Sequence, residues 1–449
     1  MAPSYTRRRY LTAAGATGVA GMATLAGCTG DTEEDVADET VTIGAIQPVS
    51  GDLAYYGEIS LEGFFAGLAY KYGVDPIDDL APGTREIEID DGPDFEILIQ
   101  DTEFSPDVAQ SVATDFVTED DVDLLFGASS SDSARRVIET VVEETDVPYI
   151  IGPAADSDIT VSEEFCHPRV FRASEHTAMD ARAGGTYVAQ QGDVSTVAIF
   201  AAEGAFGESV ANNYRPVLEG EGIEVLEPRF VEQGYGEFDG LFEEALSDGA
   251  DGVVGGFTVA TLPQFLGTAV GYDIQVFGGF AELLTTQLIG GTIEATLGED
   301  FTAEDVQAAG LGPFTTRYHW NQYDNPINDE FIDIHVDAYG IVPDLFSAGT
   351  FVGASALAQA IDETESTDGA AIADAMRGMT VEDTPKGENA YTFQEHNNQA
   401  ASEMTVAWPV PTSEEFAETW AAPVMPGEPI ERLPAEDVMV PEEEASCSL

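Results

Sequence analysis

Basic side chains are scarce in this chain. Of its 449 residues, 84 are Asp or Glu and only 16 are Lys or Arg, which gives a formal net charge of −68 at pH 7. Lysine occurs only at Lys71 and Lys386. Because Lys and Arg supply most of the affinity for nucleic-acid phosphates, this charge excludes a nucleic-acid-binding protein.

Such acidity also bears on the solvent that the chain meets. At low ionic strength its carboxylates would repel one another over about 30 Å, a range that falls to about 3 Å in 1 M salt. The composition is typical of proteins from extreme halophiles. We therefore attribute the charge to adaptation to molar salt, and not to the chemistry of a ligand.

Cysteine is equally sparse. The chain has three, Cys28, Cys166 and Cys447, which excludes a small disulfide-dense scaffold. Outside the cell Cys166 and Cys447 could pair and tie the C-terminal tail to the body, or they could be two unpaired small residues. The sequence leaves both open.

Motifs of enzyme chemistry are absent from the sequence. It contains no Gly-x-Ser-x-Gly elbow, no phosphate loop ending in Gly-Lys-Ser/Thr and no His-Glu-x-x-His zinc helix. Its five histidines have no metal-ligand spacing, and each is predicted to lie in a turn or at the surface. We predict a protein that is not an enzyme and uses no cofactor or metal, with a surface enzyme as the rival class.

The N-terminal segment carries two motifs of export. "TRRRYL", which contains Arg7 and Arg8, resembles the twin-arginine motif of proteins that cross the membrane folded. The uncharged stretch that follows is only mildly apolar and too short to favour a permanent membrane span. "LAGC" resembles a lipobox, in which the chain is cleaved before Cys28 and the thiol is lipidated. The alternative is an ordinary small-residue cleavage site with an incidental cysteine.

These motifs predict a location. We expect an export signal over 1–27 and an acidic tether over 28–40. The mature protein would then stand on the extracellular face of the cell membrane, lipid-anchored after twin-arginine export.

Strands alternate with helices twice along the rest of the chain. Its 43% hydrophobic content excludes an intrinsically disordered protein. The short apolar runs are typical of parallel strands buried on both faces. The predicted strands are 41–49, 95–101, 122–128 and 147–153 in the first set, and 195–203, about 225–231, 251–257 and 274–280 in the second. The pattern predicts an α/β protein with two doubly wound, Rossmann-like lobes.

Six blocks of sequence resemble a known family. They are "VTIGAIQPVSGDLAYYGEISLEGFFAGL", "DTEFSPDVAQSVATDFV", "VDLLFGASSSDSA", "VPYIIGPAADSDIT", "RVFRASEHTAMDA" and "GAFGESVA". They look like successive blocks of type I periplasmic binding proteins of the leucine/isoleucine/valine-binding family, which are receptors of ABC importers. The resemblance runs from about 41 to 410 and is more specific in its first half. It is interrupted by an insertion after the first helix.

The resemblance implies lobes that are joined by three crossings of the chain. The N-terminal lobe would comprise 41–173 plus 318–387, and the C-terminal lobe 174–317 plus 388–440. Residues 441–449 would form a tail. Ligands of such folds bind at the carboxyl ends of the strands.

The resemblance also implies polar contacts to a ligand. Ser130 and Ser131 match the hydroxyl and backbone N–H groups that hold the ligand carboxylate at the start of a helix, where a partial positive charge favours an anion. Ser131 could also be an N-cap, and the two roles are compatible. Ala154 and Asp156 match the residues that meet the ligand amine.

The apolar part of the implied site departs from the better-known members. Tyr56 matches the family's aromatic residue, whereas Phe206 and Phe257 stand where those members have Tyr. Phe280 occupies the position of the acidic residue that pairs with the amine, and Phe346 is a candidate wall. An ammonium group would need Asp156, Glu203 or Glu282, because an unpaired buried charge is costly.

We therefore predict a monomeric receptor that binds a branched-chain amino acid or a similar small carboxylate between two lobes. It would deliver this ligand to an ABC permease in the membrane. The alternatives are a receptor for an amide, urea or aromatic acid, and a chemosensory binding protein that feeds a transducer.

Overall fold

The computed structural model of the chain describes residues 36, 39–90, 92–279 and 283–449. Arg7, Arg8 and Cys28, with the predicted export signal, lie outside these residues. Across these described ranges no helix is long and apolar enough to span a bilayer.

The strands form two main sheets and two small ones. In chain order they are β1 (Thr40–Gln47), β2 (Gly83–Ile87), β3 (Asp94–Asp101), β4 (Leu124–Gly127), β5 (Tyr149–Ile151), β6 (Val170–Arg172), β7 (Thr196–Ala202), β8 (Glu224–Val225), β9 (Arg229–Val231), β10 (Gly252–Gly256), β11 (Gln275–Gly279), β12 (Leu311–Thr316), β13 (Thr380–Val381), β14 (Tyr391–Phe393), β15 (Ala400–Ala401), β16 (Met404–Ala407), β17 (Pro409–Pro411), β18 (Val424–Pro426) and β19 (Glu431–Leu433).

The helices cover the faces of the main sheets. In chain order they are α1 (Tyr55–Tyr72), α2 (Pro106–Thr118), α3 (Ser131–Val137), α4 (Glu143–Thr145), α5 (Asp158–Val161), α6 (Thr177–Asp180), α7 (Thr186–Gln191), α8 (Ala205–Gly220), α9 (Asp239–Ser247), α10 (Leu262–Ala269), α11 (Leu283–Leu297), α12 (Ala303–Ala308), α13 (Pro326–Tyr339), α14 (Leu345–Thr364), α15 (Gly369–Met376) and α16 (Ala435–Val438). A π-helical segment, Ile138–Val142, joins α3 to α4, and another, Ala181–Gly185, joins α6 to α7.

The first main sheet has the order β2-β3-β1-β4-β5-β6. All its neighbours are parallel except β2 and β3. The extra antiparallel strand β2 lies in the segment predicted only as an insertion, and β6 was not predicted as a strand. The sheet changes direction between β1 and β4, which is where ligands bind in doubly wound folds.

The second main sheet repeats this plan. Its order is β19-β16-β12-β11-β10-β7-β8, with β9 also paired to β7. The strands from β8 to β12 are parallel, and β16 and β19 are antiparallel additions. The single strand predicted near 225–231 is split in two around Pro228, which cannot donate a ladder hydrogen bond. The predicted fold class is confirmed.

Helix α14 packs tightly on α1 of the first lobe. A Cβ atom added at Gly63 would lie 2.1 Å from the carbonyl oxygen of Ser347, and one added at Gly67 would lie 2.7 Å from that of Phe351. Only glycine permits this approach of the two backbones. Helix α14 therefore belongs to the first lobe.

The small strands β14 and β15, which follow the predicted third crossing at 388, pack in the core of the first lobe. Tyr391 and Phe393 of β14 and Ala400 of β15 lie in the same apolar core as Val41 of the first sheet. Met404 then begins β16 of the second sheet. We therefore propose that the chain passes to the second lobe near 401–404, because the aromatic side chains of β14 bury themselves in the first core.

The C-terminal tail returns from the second sheet to the first lobe. After β19 and α16, the backbone N–H groups of Ser446 and Cys447 donate to the carbonyl of Val161, at 3.0 and 2.9 Å. Cys447 forms a disulfide with Cys166, 281 residues earlier in the chain. The tail thus adds a covalent link to the crossings between the lobes.

Candidate functional site

A cavity of about 120 Å³ lies between the two lobes, at the carboxyl ends of their parallel strands. Both switch points of the doubly wound sheets open onto it. Its lining from the first lobe is Tyr56, Phe104, Ser129, Ser130, Ser131, Asp132, Pro153, Ala155, Leu345 and Phe346. The remaining lining is Asp180, Ala202, Glu203, Phe206, Gly207, Val210, Tyr214, Gln233, Gly255, Phe257, Thr258, Leu262, Gly279, Thr315 and Arg317.

Three consecutive serines form the polar end of the first-lobe wall, between β4 and α3. Ser129 Oγ lies 2.8 Å from Gln47 Oε1 of β1, which fixes it at the switch point. Ser130 is the N-cap of α3, because its Oγ accepts from the N–H of Ser133 at 3.3 Å. Ser131 Oγ accepts from the N–H of Asp156 at 3.2 Å. The predicted pair Ser130 and Ser131 lines the cavity, and the cap is Ser130.

Aromatic side chains from both lobes wall the cavity. Tyr56 packs edge-on against Phe346, with ring centroids 5.2 Å apart, and lies 6.0 Å from Phe104. Phe206 and Phe257 line it from the second lobe. Sequence reasoning missed Phe104, whose φ of 57° follows the end of β3 and turns the chain toward the cavity.

Three further residues of the second lobe were predicted to lie at the ligand. Phe280 and Glu282 lie outside the described residues. Glu203 lines the cavity and is exposed. Of the proposed ammonium partners that lie within the described residues, Glu203 lines the cavity and Asp156 does not.

Ala154 and Asp156 lie away from the cavity, in contrast to the prediction. Asp156 is 0% exposed and pairs with Nε of Arg135, which raises the pKa of that guanidinium despite its burial. The carbonyl of Ala154 accepts from Nη1 of Arg172 at 3.1 Å. Ala155 and Pro153 reach the cavity from this loop instead. The structure therefore does not bring the Asp156 carboxylate to the cavity, because this group already pairs with Arg135.

A buried ion pair that sequence reasoning missed lies at the cavity. Arg317 follows β12, and Asp180 ends α6. Nε of Arg317 is 3.1 Å from Oδ1 of Asp180, and Nη2 is 2.5 Å from Oδ2. Burial alone would lower the pKa of Arg317, but the Asp180 carboxylate raises it above its ordinary value. The pair spans 137 residues of sequence, so no local pattern indicates it.

Two contacts hold the lobes together across the cavity. The carboxylate of Asp132 accepts from the N–H of Ala205, at 3.2 and 3.3 Å. The hydroxyl of Tyr56 accepts from the N–H of Val259 at 2.8 Å. Each contact joins a first-lobe side chain to second-lobe backbone, so the structure shows the two lobes closed on the cavity.

Residues 40–409 match the family model of periplasmic binding proteins. The chain belongs to this family. Members are extracytoplasmic receptors that bind small molecules, in general without catalysis.

Relatives of this binding protein share little sequence and much of the fold. A Leu/Ile/Val-binding protein homolog from Brucella abortus is 24% identical over 395 residues, 83% of this chain and 90% of the relative. A leucine binding protein from Thermotoga maritima superposes with a TM-score of 0.70 at 18% identity, covering 88% of this chain and 99% of that one. A solute binding protein of an ABC transporter from Rhodopseudomonas palustris, in complex with 3,4-dihydroxy benzoic acid, has a TM-score of 0.67 at 18% identity, covering 88% and 98%.

A second buried ion pair of the binding protein lies near its crossings. Nζ of Lys386 is 2.6 Å from Oε1 of Glu175, and the hydroxyl of Tyr391 donates to the same oxygen at 2.7 Å. Burial alone would raise the pKa of Glu175, but these partners lower it. Lys386, one of the two lysines of the chain, thus holds the first-lobe core to the segment that leads into the second lobe.

Three histidines of the binding protein are buried, which corrects the prediction of surface positions, and His335 lies within α13 and not in a turn. His176, His319 and His335 are each 0% exposed. Burial lowers the pKa of His319 to about 3 and that of His335 to about 4. Within the part of the chain that the structure describes, His, Cys, Asp and Glu side chains form no group suited to a metal ion.

Proposed function

We propose that this binding protein is the solute receptor of an ABC importer and that its ligand is a small aromatic carboxylate. The observation that carries the proposal is the composition of the cavity. Six aromatic side chains from both lobes line it, together with the three serines at the start of α3 and with Arg317. Pockets of this kind take their affinity from apolar walls and their orientation from a few polar groups.

The aromatic walls favour a flat apolar body. Tyr56, Phe104 and Phe346 contribute from one lobe, and Phe206, Tyr214 and Phe257 from the other. A ring held between the lobes would make offset or edge-on contacts with these side chains, each worth about 0.5–1.5 kcal/mol beyond area burial.

The serines favour a carboxylate. Ser129, Ser130 and Ser131 line one end of the cavity, where a helical stretch begins at Ser131, and the partial positive charge of a helix N-terminus favours an anion. An ammonium group has fewer partners, because Asp132 binds the N–H of Ala205 and Asp180 binds Arg317. This distribution supports an acid without an amine.

A branched-chain amino acid is the second candidate, and one observation favours it. The Glu203 carboxylate lines the cavity and could pair with a ligand ammonium group. Under this alternative the aromatic walls would hold an aliphatic side chain.

We further propose that Arg7 and Arg8 direct twin-arginine export and that Cys28 anchors the mature protein to the outer face of the membrane. The motifs described above support this proposal. There the receptor would act as a monomer and deliver its ligand to an ABC permease; a chemosensory transducer is the alternative partner.

Thermal unfolding in molar salt tests the ligand class. Mature protein would be heated with benzoate, leucine, valine, urea or acetamide. A ligand at about 100 times its dissociation constant adds roughly 2.7 kcal/mol to the unfolding free energy. We expect stabilisation by benzoate. Stabilisation by leucine or valine alone would support the second candidate, and a response only to urea or acetamide would overturn both.

A matched pair of variants checks that the ligand occupies this cavity. Phe346→Ala removes an aromatic wall and should weaken benzoate binding by about tenfold. Phe230→Ala removes the same side chain from an exposed position on β9, where it is 42% exposed, and should leave binding unchanged. Equal effects of the two substitutions would contradict the assignment of the site.

A further inference from the structure

A cluster of polar groups lines the cavity from its second-lobe side. It consists of Arg317 and Thr315 at the end of β12, Asp180 at the end of α6, and Tyr214 on α8. The serines at the opposing wall belong to the first lobe. The cavity therefore has polar groups on two walls with aromatic rings between them.

The hydroxyl of Tyr214 lacks a full partner in the protein. Tyr214 is 1% exposed, and within the described residues its hydroxyl makes no hydrogen bond of normal geometry, although the Thr315 side chain lies beside it. Arg317 directs Nε and Nη2 at Asp180 and lines the cavity next to it. A buried polar group without a partner costs about 1–3 kcal/mol, so the Tyr214 hydroxyl points to a ligand atom.

The charge of the cluster limits what that atom can be. Asp180 already compensates Arg317, so the pair is neutral as a unit. A second carboxylate on the ligand would bring an uncompensated buried charge, which is costly. A methyl group would leave the Tyr214 hydroxyl unsatisfied. A neutral hydroxyl can accept from Tyr214 and can donate its own proton to Asp180.

We propose that Arg317, Asp180 and Tyr214 form a second polar subsite, which takes a neutral hydroxyl group on the ligand, remote from its carboxylate. The inference rests on the proposed function and narrows it from aromatic carboxylates to hydroxylated ones. Tyr214 acts in it as a specificity-determining residue, because its hydroxyl distinguishes a hydroxylated ring from a bare one.

Calorimetry with four acids tests the subsite. Benzoate, 3-hydroxybenzoate, 4-hydroxybenzoate and 4-methylbenzoate would be titrated into the mature protein in molar salt. We expect one of the hydroxylated acids to bind at least about tenfold more tightly than benzoate, since sites built to bond a hydroxyl discriminate strongly against its absence. 4-Methylbenzoate should bind no more tightly than benzoate.

Two tyrosine variants provide the matched comparison. Tyr214→Phe should weaken binding of the hydroxylated acid more than binding of benzoate, and so remove most of the preference. Tyr72→Phe also removes a buried hydroxyl without a partner, but on α1 and away from the cavity, and should leave the preference intact. An equal loss for all acids in Tyr214→Phe would overturn the proposal, because the subsite would then hold the carboxylate.

The remaining outcomes distinguish a failure of the subsite from a failure of the proposed function. Benzoate binding without any preference for a hydroxyl overturns the subsite and leaves the proposed function standing. No binding of any of the four acids overturns the proposed function and the subsite together.

Discussion

The carboxylate of Asp132, in the first turn of α3, caps the helix α8 of the opposite lobe. Its two oxygens lie 3.2 and 3.3 Å from the backbone N–H of Ala205, the first residue of α8. The residue before it, Gly204, has no side chain to cap this helix. The helix N-terminus in one lobe therefore obtains its anionic partner from the other lobe, and only when the two are closed.

This relationship predicts that Asp132 stabilises the closed form. An N-cap contact is worth about 1 kcal/mol, so Asp132→Ala should weaken ligand binding by about fivefold. Asp132→Asn retains an oxygen for the cap and should bind nearly as well as the unaltered protein. Calorimetry on both variants checks the prediction. If Asp132→Ala binds as tightly as the unaltered protein, the contact does not contribute to closure.

Tyr56 should contribute to closure through its hydroxyl as well as its ring. Tyr56→Phe keeps the aromatic wall but leaves the N–H of Val259 without this acceptor in the closed form. Since an unsatisfied buried N–H costs about 1–3 kcal/mol, ligand affinity should fall by about tenfold. The unfolding temperature of the ligand-free protein should change little. A large fall in that temperature would instead show that Tyr56 supports the fold.

The buried pair of Glu62 and His335 should make stability depend on pH. Oε2 of Glu62 lies 3.5 Å from Nε2 of His335. Burial, with Asp344 and Glu58 nearby, raises the pKa of Glu62 from 4.5 to about 8, and burial lowers the pKa of His335 from 6.5 to about 4. Both groups are therefore uncharged at neutral pH in the folded protein.

The direction of this pH dependence follows from the numbers of protons that the folded and unfolded chains bind. Between pH 4.5 and 8 folded Glu62 holds a proton that the unfolded chain releases, so stability is present at low pH and is lost as the pH rises toward 8. Below pH 6.5 His335 has the opposite effect on stability, because its imidazole binds a proton in the unfolded chain and not in the folded protein. From pH 6.5 to 8 the Glu62 contribution should lower the unfolding free energy by up to about 1.4 kcal/mol per pH unit.

Urea unfolding at several pH values measures this slope. Glu62→Gln should remove the contribution, and the exposed control Glu88→Gln should retain it. Identical slopes in the two variants would show that Glu62 is ionised in the folded protein at neutral pH.

The disulfide should stabilise the whole chain. Cys447→Ser opens a link between residues 281 positions apart, and loss of such a bridge typically costs about 2–5 kcal/mol. Cys166→Ser and the double variant should lose the same amount, because each removes the same bond. Thermal unfolding with and without reductant measures the effect. Unequal losses would point to a separate packing role for one of the two cysteines.

Most strands and helices were predictable from the sequence, because the patterns that indicate them lie within short stretches of the chain. Runs such as Val41 to Gln47 and Thr196 to Ala202 indicate buried parallel strands. Ser105 and Pro106 likewise mark the start of α2, as its N-cap and first helical residue. The edge strands β2 and β6 carry weaker patterns and were missed. Their pairing depends on neighbours that only the sheet provides.

Residues of the candidate site were predictable only where they follow the end of a strand. Tyr56, Ser131, Phe206 and Phe257 are placed by the switch points and reach the cavity. Arg317 and Asp180 were missed because their pairing joins distant segments. The ion pair between Asp156 and Arg135 of α3 was also missed, because only the fold brings these two residues together.

The disulfide between Cys166 and Cys447 also determines what a protease can do to this protein. All the strands of the second main sheet, from β7 to β19, lie within the ring of chain that this bond closes. A single cut anywhere inside that ring leaves one covalent molecule, which would separate into fragments only after reduction. For a receptor that works outside the cytoplasm, where proteases are met and thiol reductants are scarce, a nicked loop in the second lobe would not release either half of the binding cleft.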